Sequence, residues 1–201
     1  LMARWGVDVW MTEGEWTTAR GVHAVASESD LDIKIAHYRR NGVPADQLET
    51  YRTPPNAFYR KMVPAVPGRF VRIHGGAKLR IGAHDWQVII GRGHAPEHAC
   101  LFSPDRGVLI CGDILLPRIS PNVSVWPTEP LGDPLAEYLD ALQGFDALPA
   151  DTLVLPAHGQ PYRGVHARID ELRHHHAERL DKLADALAAG PRSAVDCFPL
   201  L

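Results

Sequence analysis

Three short apolar runs constrain this chain most, because each ends in a small residue and then a histidine or an aspartate. The runs lead to His94, Asp113 and His158, and a glycine lies beside each of the three. Apolar runs of this length are typical of buried β-strands. Strands that end at the same sheet edge bring such side chains together. The sequence therefore predicts that two imidazoles and one carboxylate meet at one point, which is part of a zinc site but not a complete one.

The composition of the 201 residues is ordinary for a soluble globular chain, with 45% apolar and 22% charged residues. This length predicts a single domain over residues 1–201. The net charge of −3 and the lack of a Lys/Arg run argue against a nucleic-acid partner. A membrane partner is not expected either, because no apolar stretch approaches the ~20 residues that span a bilayer. The three cysteines form no Cys-x-x-Cys pair, which favours a reducing cytoplasm over disulfides or a cysteine zinc site.

The periodicity of apolar residues predicts strands and helices in a mixed order. Val7–Met11 is predicted as a strand, and Thr12 with Glu15 as the capping box of the next helix. Ser29 or Asp30 is expected to cap a second helix. The other predictions are a short helix from Pro44, a loop or broken helix over 53–69, a meander and hairpin from Phe70 to Cys111, a loop over 117–134, a helix from Pro134 to Phe145, a strand over 152–155 and a helix over 166–189. This mixture predicts an α/β (α+β) fold with a largely antiparallel sheet.

The loop over residues 117–134 follows Asp113 directly, so it is expected to lie beside the predicted site. Loops of this length without secondary structure are usually functional or disordered. We therefore predict that it forms a wall of the substrate pocket. The predicted substrate contacts are Arg118, Asn122 and Trp126.

The other histidines are predicted to have smaller roles. His98 lies four residues after His94 and is expected either to bind metal or to orient a ligand, and its neighbour Glu97 is expected to be exposed. The run His174–His176 lies on a predicted helix, where consecutive side chains point about 100° apart. These three imidazoles are therefore predicted to form an ordinary, partly solvated helix face rather than a chelating group.

A site with two metal ions requires a bridging anion, because the ions lie ~3.5–4 Å apart. A carboxylate suits that position, since its two oxygens carry charge that screens both cations. Asp113 is therefore the predicted bridge and the predicted catalytic residue, and His94 and His158 could each serve one metal.

Three motifs follow one another in the sequence: Gly-His-Ala-Pro-Glu-His at 93–98, Cys-Gly-Asp-Ile-Leu at 111–115 and Leu-Pro-Ala-His-Gly at 155–159. Together they resemble the later motifs of the metallo-β-lactamase-fold hydrolases, over about residues 70–190. The resemblance implies an αβ/βα sandwich and a zinc hydrolase of the glyoxalase II-like or β-lactamase-like group. It also implies that His94 binds the first zinc, Asp113 bridges and His158 binds the second, so that a metal-bound hydroxide attacks a small ester, thioester or amide.

The main signature of that family, His-x-His-x-Asp-His, is absent from the sequence. Because this signature would supply further ligands to both zincs, we expect a fragment that is truncated at the N-terminus. A further truncation at the C-terminus stays open. The sandwich of such a fragment is then incomplete, its metal site partial or empty, and its activity weak or lost. Two alternatives stay open. One is a metal-free, degenerate domain that associates with a partner, and a homodimer is one form of this association. The other is a nuclease of the same fold, which the weakly acidic chain disfavours.

Overall fold

The strands of the described residues form two sheets. The computed structural model describes residues 2–24, 27–53 and 57–200, with the side chains of all of these except Ala3 and Ala57. A small sheet pairs β1 (Trp10–Met11) in parallel with β2 (Val71–Arg72). The larger sheet contains, in spatial order, β3 (Lys78–Ile81), β4 (His84–Gly91), β5 (His98–Ser103), β6 (Val108–Gly112) and β7 (Leu153–Pro156). The strands from β3 to β6 are antiparallel, whereas β7 runs parallel to β6. The predicted mixed fold with a largely antiparallel sheet is confirmed.

The helices lie before, between and after the strands. They are α1 (Met2–Trp5), α2 (Glu13–His23), α3 (Glu28–Arg40), α4 (Ala57–Met62), α5 (Pro134–Ala141), α6 (Val165–Ala188) and α7 (Ala194–Cys197), with 3₁₀ turns at Leu48–Tyr51, Leu142–Phe145 and Phe198–Leu200. α6 has 24 residues and a largely polar sequence. Among the helices of the described ranges, none combines the length and apolarity that crossing a bilayer requires.

The described residues divide into two compact units. The first comprises residues 2–21, 66–124 and 133–171 and contains both sheets. Its core includes Val88, Leu109 and Val154, which are buried on three strands of the larger sheet. β-Branched and leucine side chains in these runs favour strands that are covered by other elements.

The helix α5 and the 3₁₀ turn after it pack against β4 in the first unit. Asp133 caps the helix by accepting a hydrogen bond from the Ala136 N–H at 3.0 Å, and Pro134 occupies its first turn. Tyr138, Leu142 and Phe145 follow at spacings of four and three residues and are all buried. The predicted helix from Pro134 to Phe145 is therefore present, with a 3₁₀ final turn.

The second unit comprises residues 22–65, 125–132 and 172–200 and is helical. Leu31, Ile35 and Leu48 are buried in it. The end of α3 is tied to the start of α7 by a hydrogen bond from the Val195 N–H to the Asn41 carbonyl at 3.1 Å.

Several predicted element boundaries were wrong. The strand predicted over Val7–Met11 is limited to its last two residues. Instead of forming a capping box, the Thr12 hydroxyl donates to the Glu97 carbonyl at 2.8 Å, and the Glu15 carboxylate accepts from the Glu97 N–H at 3.0 Å. A tertiary contact with a distant segment thus replaces the local cap that the pattern predicted.

The cap of α3 also differs from the prediction. Ser27 is the N-cap, and it forms a reciprocal capping box with Asp30, so neither Ser29 nor Asp30 is the cap residue itself. The short helix expected from Pro44 is a 3₁₀ turn that begins at Leu48. The segment predicted as a loop or broken helix contains α4, and residues 54–56, including two of its prolines, lie outside the described residues.

Candidate metal centre

The three predicted ligands follow three strands that end at the same edge of the larger sheet. β4 and β6 are both antiparallel to β5, and β7 is parallel to β6, so all three point in one direction. His94 follows β4, Asp113 follows β6 and His158 follows β7. The ends of β6 and β7 are held together beyond their ladder by a hydrogen bond from the Ala157 N–H to the Gly112 carbonyl at 2.9 Å.

The carboxylate of Asp113 lies between two imidazoles. Its Oδ2 is 3.6 Å from Nε2 of His94, and its Oδ1 is 3.5 Å from Nε2 of His158. The Asp113 side chain is 27% exposed, His94 is 28% exposed and His158 is 74% exposed. Within the described residues, Oδ1 of Asp113 is buried and has no hydrogen-bond partner. Such an orphaned anionic atom requires a compensating group.

The other nitrogen of His94 fixes the orientation of this ring. Nδ1 lies 2.8 Å from the main-chain carbonyl oxygen of Asn122. A carbonyl can only accept, so Nδ1 carries the proton and a neutral ring leaves Nε2 with a lone pair. In the neutral form of the ring, Nε2 faces the Asp113 carboxylate with this lone pair. Two electron-rich groups in this arrangement are complementary to a cation placed between them.

The distances fit ligands of a shared metal better than hydrogen-bond partners. Two donor atoms bound at 2.0–2.2 Å to one tetrahedral ion are separated by about 3.3–3.6 Å. The His94–Asp113 and Asp113–His158 separations, 3.6 and 3.5 Å, lie close to that range. The arrangement suits a bridging carboxylate with one imidazole on each side. In the part of the chain that the structure describes, no three His, Cys, Asp or Glu side chains form a group that could hold one ion, so these residues provide a partial ligand set.

Two glycines at this edge are required by the backbone and by close packing. Gly112 precedes Asp113 with φ of 53°, and a Cβ atom there would overlap Nε2 of His98. Gly93 precedes His94 with φ of 84°, and a Cβ atom there would overlap the Pro134 carbonyl oxygen. Because of the positive φ values and these overlaps, a residue with a side chain could be placed at either position only if the surrounding structure rearranged. Glycine at these two positions therefore permits the tight turn and the close packing beside Asp113 and His94.

His98 lies next to the centre at the first position of β5. Its ring centroid is 6.3 Å from that of His94, and its Nε2 packs over Gly112. Burial lowers the pKa of His98, an effect that the nearby Glu15 carboxylate partly opposes. This environment favours the neutral ring, which is the form that can bind a metal or orient a ligand.

Glu97 is not the exposed residue that the sequence analysis predicted. Its side chain is only 33% exposed, and Oε2 accepts a hydrogen bond from the Gly14 N–H at 2.8 Å. Arg92 lies on the other side, with Nη2 3.8 Å from Oε1. A carboxylate at the N-terminus of α2 satisfies one of the free N–H groups there and interacts favourably with the helix dipole.

The predicted pocket wall lies partly beside the centre. Arg118 and Asn122 are exposed on the loop that follows Asp113, and the Asn122 carbonyl contacts His94. The Asn122 side chain accepts a hydrogen bond from the Ser124 hydroxyl at 3.1 Å. Trp126 belongs to the second unit and is 61% exposed. The role of these three residues in binding substrate stays a prediction.

Three residues that the sequence analysis did not select support the segment after Asp113. Tyr138, Tyr162 and Arg168 donate hydrogen bonds to its carbonyl oxygens. One sign of this role is present in the sequence of α6: Arg168 lies three residues after Val165 and four before Leu172, both of which are buried. A charged residue on an apolar helix stripe requires polar partners in the interior.

Cys111, two residues before Asp113, is a buried free thiol, as are Cys100 and Cys197. Burial raises the pKa of Cys111 to about 12, and burial also raises that of Cys100 well above its usual range. Neutral thiols of this kind act as small apolar side chains. Cys100 and Cys111 are therefore buried packing residues.

Comparison with known proteins agrees with the geometry of this edge. The family model for the metallo-beta-lactamase superfamily matches residues 13–158. A beta-lactamase domain protein from Burkholderia ambifaria is 43% identical with a TM-score of 0.83, and the match covers 98% of this chain and 55% of that protein. The probable metallo-hydrolase YqjP of Bacillus subtilis is 31% identical over 117 residues, which are 56% of this chain and 36% of YqjP.

A second curated relative is the hydroxyacylglutathione hydrolase of a Synechococcus species. It is 31% identical over 99 residues, which are 46% of this chain and 36% of that enzyme. The chain thus matches about a third of the length of the curated relatives and just over half of the solved one. Both curated relatives are named as hydrolases.

Proposed function

The chain belongs to the metallo-beta-lactamase superfamily, and from that premise we propose that it supplies one part of the active centre of a zinc-dependent hydrolase. The proposed substrate is a small ester, thioester or amide. The observation that carries this proposal is the Asp113 carboxylate, whose two oxygens face Nε2 of His94 and Nε2 of His158 at 3.6 and 3.5 Å.

The proposed ligands are His94 on one metal, His158 on the other and Asp113 between them. Imidazole and carboxylate donors suit zinc, although the same donor set also accepts other first-row metals. A zinc ion bound there would act as a Lewis acid and lower the pKa of a coordinated water to about 7. The protein's own contribution is to orient the donors, since the Asn122 carbonyl holds the His94 ring.

The substrate class is supported by the relatives and by the chain's charge. One curated relative is named as a hydrolase of hydroxyacylglutathione, which is a thioester. The net charge of −3 is unfavourable for a polyphosphate substrate and argues against the nuclease alternative. Arg118, Asn122 and Trp126 are the proposed substrate contacts. A cytoplasmic location is supported by the three cysteines, which are all free thiols.

Metal binding by the purified 201-residue chain tests the proposed ligands. We expect isothermal titration calorimetry to show zinc binding by the wild type. Zinc affinity should fall at least about 100-fold in each of three variants, His94→Ala, Asp113→Asn and His158→Ala. A loss of this size exceeds the 10–100-fold that is typical when a residue that only orients a metal ligand is replaced. The matched control is His74→Ala, which removes an exposed imidazole that is not among the proposed ligands. Equal affinity in all five proteins would place zinc elsewhere and refute the ligand assignment. A folded wild-type chain that binds no zinc at millimolar concentration would favour the metal-free alternative.

Turnover tests the proposed chemistry separately. Because the chain provides only part of a two-metal ligand set, we expect slow hydrolysis of thioesters and aryl esters that requires added zinc and is abolished by chelation. Asp113→Asn should remove this activity, whereas His74→Ala should retain it. Hydrolysis that persists in the chelated protein would contradict a metal-dependent mechanism.

A further inference from the structure

The side chain of Arg168 is largely buried and donates hydrogen bonds to the segment that follows Asp113. This side chain is 13% exposed. Nε donates to the Leu116 carbonyl at 2.7 Å and Nη2 donates to the Ile119 carbonyl at 3.0 Å. Nη1 donates to the carboxylate of Glu171, one turn further along α6, at 2.9 Å. All three nitrogens are therefore engaged, and the rigid fork spans two separate points of one loop.

That loop is the 114–122 segment, which follows Asp113 and forms neither helix nor strand. Buried main-chain carbonyls need hydrogen-bond donors, which helices and strands normally provide. In this segment, side chains provide the donors instead. The Tyr138 hydroxyl donates to the Ile114 carbonyl at 3.0 Å, and the Tyr162 hydroxyl donates to the Leu115 carbonyl at 3.2 Å. Arg168 binds two carbonyls further along the chain, at positions 116 and 119, and so fixes the part of the segment that leads to Asn122.

The far end of the 114–122 segment contacts the candidate ligand His94. Asn122 lies three residues after Ile119, and its carbonyl accepts the Nδ1–H of His94 at 2.8 Å. Arg168 and His94 are therefore connected through the main chain from Ile119 to Asn122, which includes the buried Pro121. A displacement of Ile119 moves the acceptor that fixes the ring orientation and the tautomer of His94.

We propose that Arg168 is a positioning residue that orients the His94 imidazole toward Asp113 through the 114–122 segment. The inference deepens the proposed function and rests on it where metal binding is concerned. Lysine is not equivalent, because its ammonium group donates from a single nitrogen, whereas the planar guanidinium group binds two carbonyls from two nitrogens at fixed positions. Arg168 thereby acts on the candidate centre without being one of its proposed ligands.

The first measurement uses the metal-free 201-residue chain. We expect proton–nitrogen NMR spectra of the histidine rings to show a protected Nδ1–H resonance for His94, assigned by its loss in His94→Gln. Arg168→Met and Arg168→Lys should both lose this resonance, while the control Arg80→Met should retain it. Arg80 is an arginine of the same unit that makes an exposed ion pair with Asp85 at 2.9 Å. Should Arg168→Met fail to fold, Arg168→Lys decides, because it keeps the positive charge.

The second measurement is zinc affinity of the same proteins. We expect Arg168→Lys and Arg168→Met to raise the zinc dissociation constant at least about 10-fold, the lower bound for partners that orient ligands, and Arg80→Met to leave it unchanged. A folded Arg168→Lys protein with the His94 resonance and the affinity of the wild type overturns the proposal. A wild type that binds no zinc, but whose His94 resonance is lost on Arg168 substitution, refutes the proposed function and supports the positioning role.

Discussion

The hydroxyl group of Tyr138 donates a hydrogen bond to the carbonyl oxygen of Ile114, the residue after Asp113, at 3.0 Å. Both residues are fully buried. This contact links α5 to the turn at the end of β6, 24 residues earlier in the chain. The position of the candidate bridging carboxylate therefore depends on a helix that contributes no ligand.

Replacing Tyr138 by Phe should destabilise the protein by about 1–3 kcal/mol, because the Ile114 carbonyl then remains buried without this donor. Urea unfolding followed by circular dichroism measures the free energy of unfolding. The control is Tyr51→Phe, which alters an exposed tyrosine and should change that free energy by less than about 0.5 kcal/mol. Similar values for the two variants would show that the Tyr138 hydroxyl contributes little.

Replacing Gly112 by Ala should displace His98 as well as strain the backbone. The added Cβ atom would overlap Nε2 of His98, at a φ of 53°. Gly107→Ala is a matched control, since Gly107 has a φ of 58° but no atom within 4 Å of the place that a Cβ would occupy. We expect Gly107→Ala to cost about 1 kcal/mol from backbone strain alone and Gly112→Ala to cost clearly more.

The double variant Gly112→Ala with His98→Ala separates the clash from the strain. With the imidazole removed, the loss of unfolding free energy that Gly112→Ala causes should fall to the loss measured for Gly107→Ala. If His98→Ala brings no recovery in urea unfolding, the close approach of His98 to Gly112 is not the cause.

Replacing Glu97 by Ala should loosen the start of α2. The variant loses the acceptor of the Gly14 N–H and a negative charge at the helix N-terminus, which together contribute about 1 kcal/mol. Hydrogen exchange of the Gly14 amide should accelerate about fivefold, which corresponds to that free energy. Glu49→Ala, which removes an exposed carboxylate, should leave the Gly14 exchange rate unchanged. An unaltered rate in Glu97→Ala would contradict the capping role.

The buried thiol of Cys111 should make stability depend on pH in the alkaline range. Its pKa is about 12 in the folded protein and 9.0 for an unperturbed thiol. A raised folded pKa gives a contribution that is complete below pH 9 and is lost as the pH rises from 9 toward 12. Between pH 7.5 and 10, wild type should lose about 1 kcal/mol more unfolding free energy than Cys111→Ala. Equal losses in the two proteins would refute this linkage.

The sequence predicts the sheet edge well because the relevant signals are local. Apolar runs that end in glycine and a ligand-type residue identify the strand ends near His94 and Asp113, and the structure confirms these strands. The predicted roles of His94, Asp113 and His158 as ligands follow from residue type, and the metal itself stays a prediction.

The contacts that support this edge could not be read from the sequence, because they join residues that are distant in the chain. Tyr138, Tyr162 and Arg168 are 24, 47 and 52 residues from the carbonyls they bind. Local pattern rules fail for the same reason at Thr12, whose hydroxyl binds the main chain 85 residues away rather than its own helix. Tertiary hydrogen bonds compete with local capping wherever an element begins beside another segment.

The parallel pairing of β6 with β7 has a consequence for the order of events during synthesis. The 44 residues between Asp113 and His158 must be made before the second imidazole exists. A nascent chain that has just completed β6 already contains the antiparallel strands β3 to β6 and His94, but it does not yet contain β7 or His158. The carboxylate is then flanked on one side only. The arrangement with an imidazole on each side of Asp113 therefore exists only after His158 has been made and β7 has paired with β6.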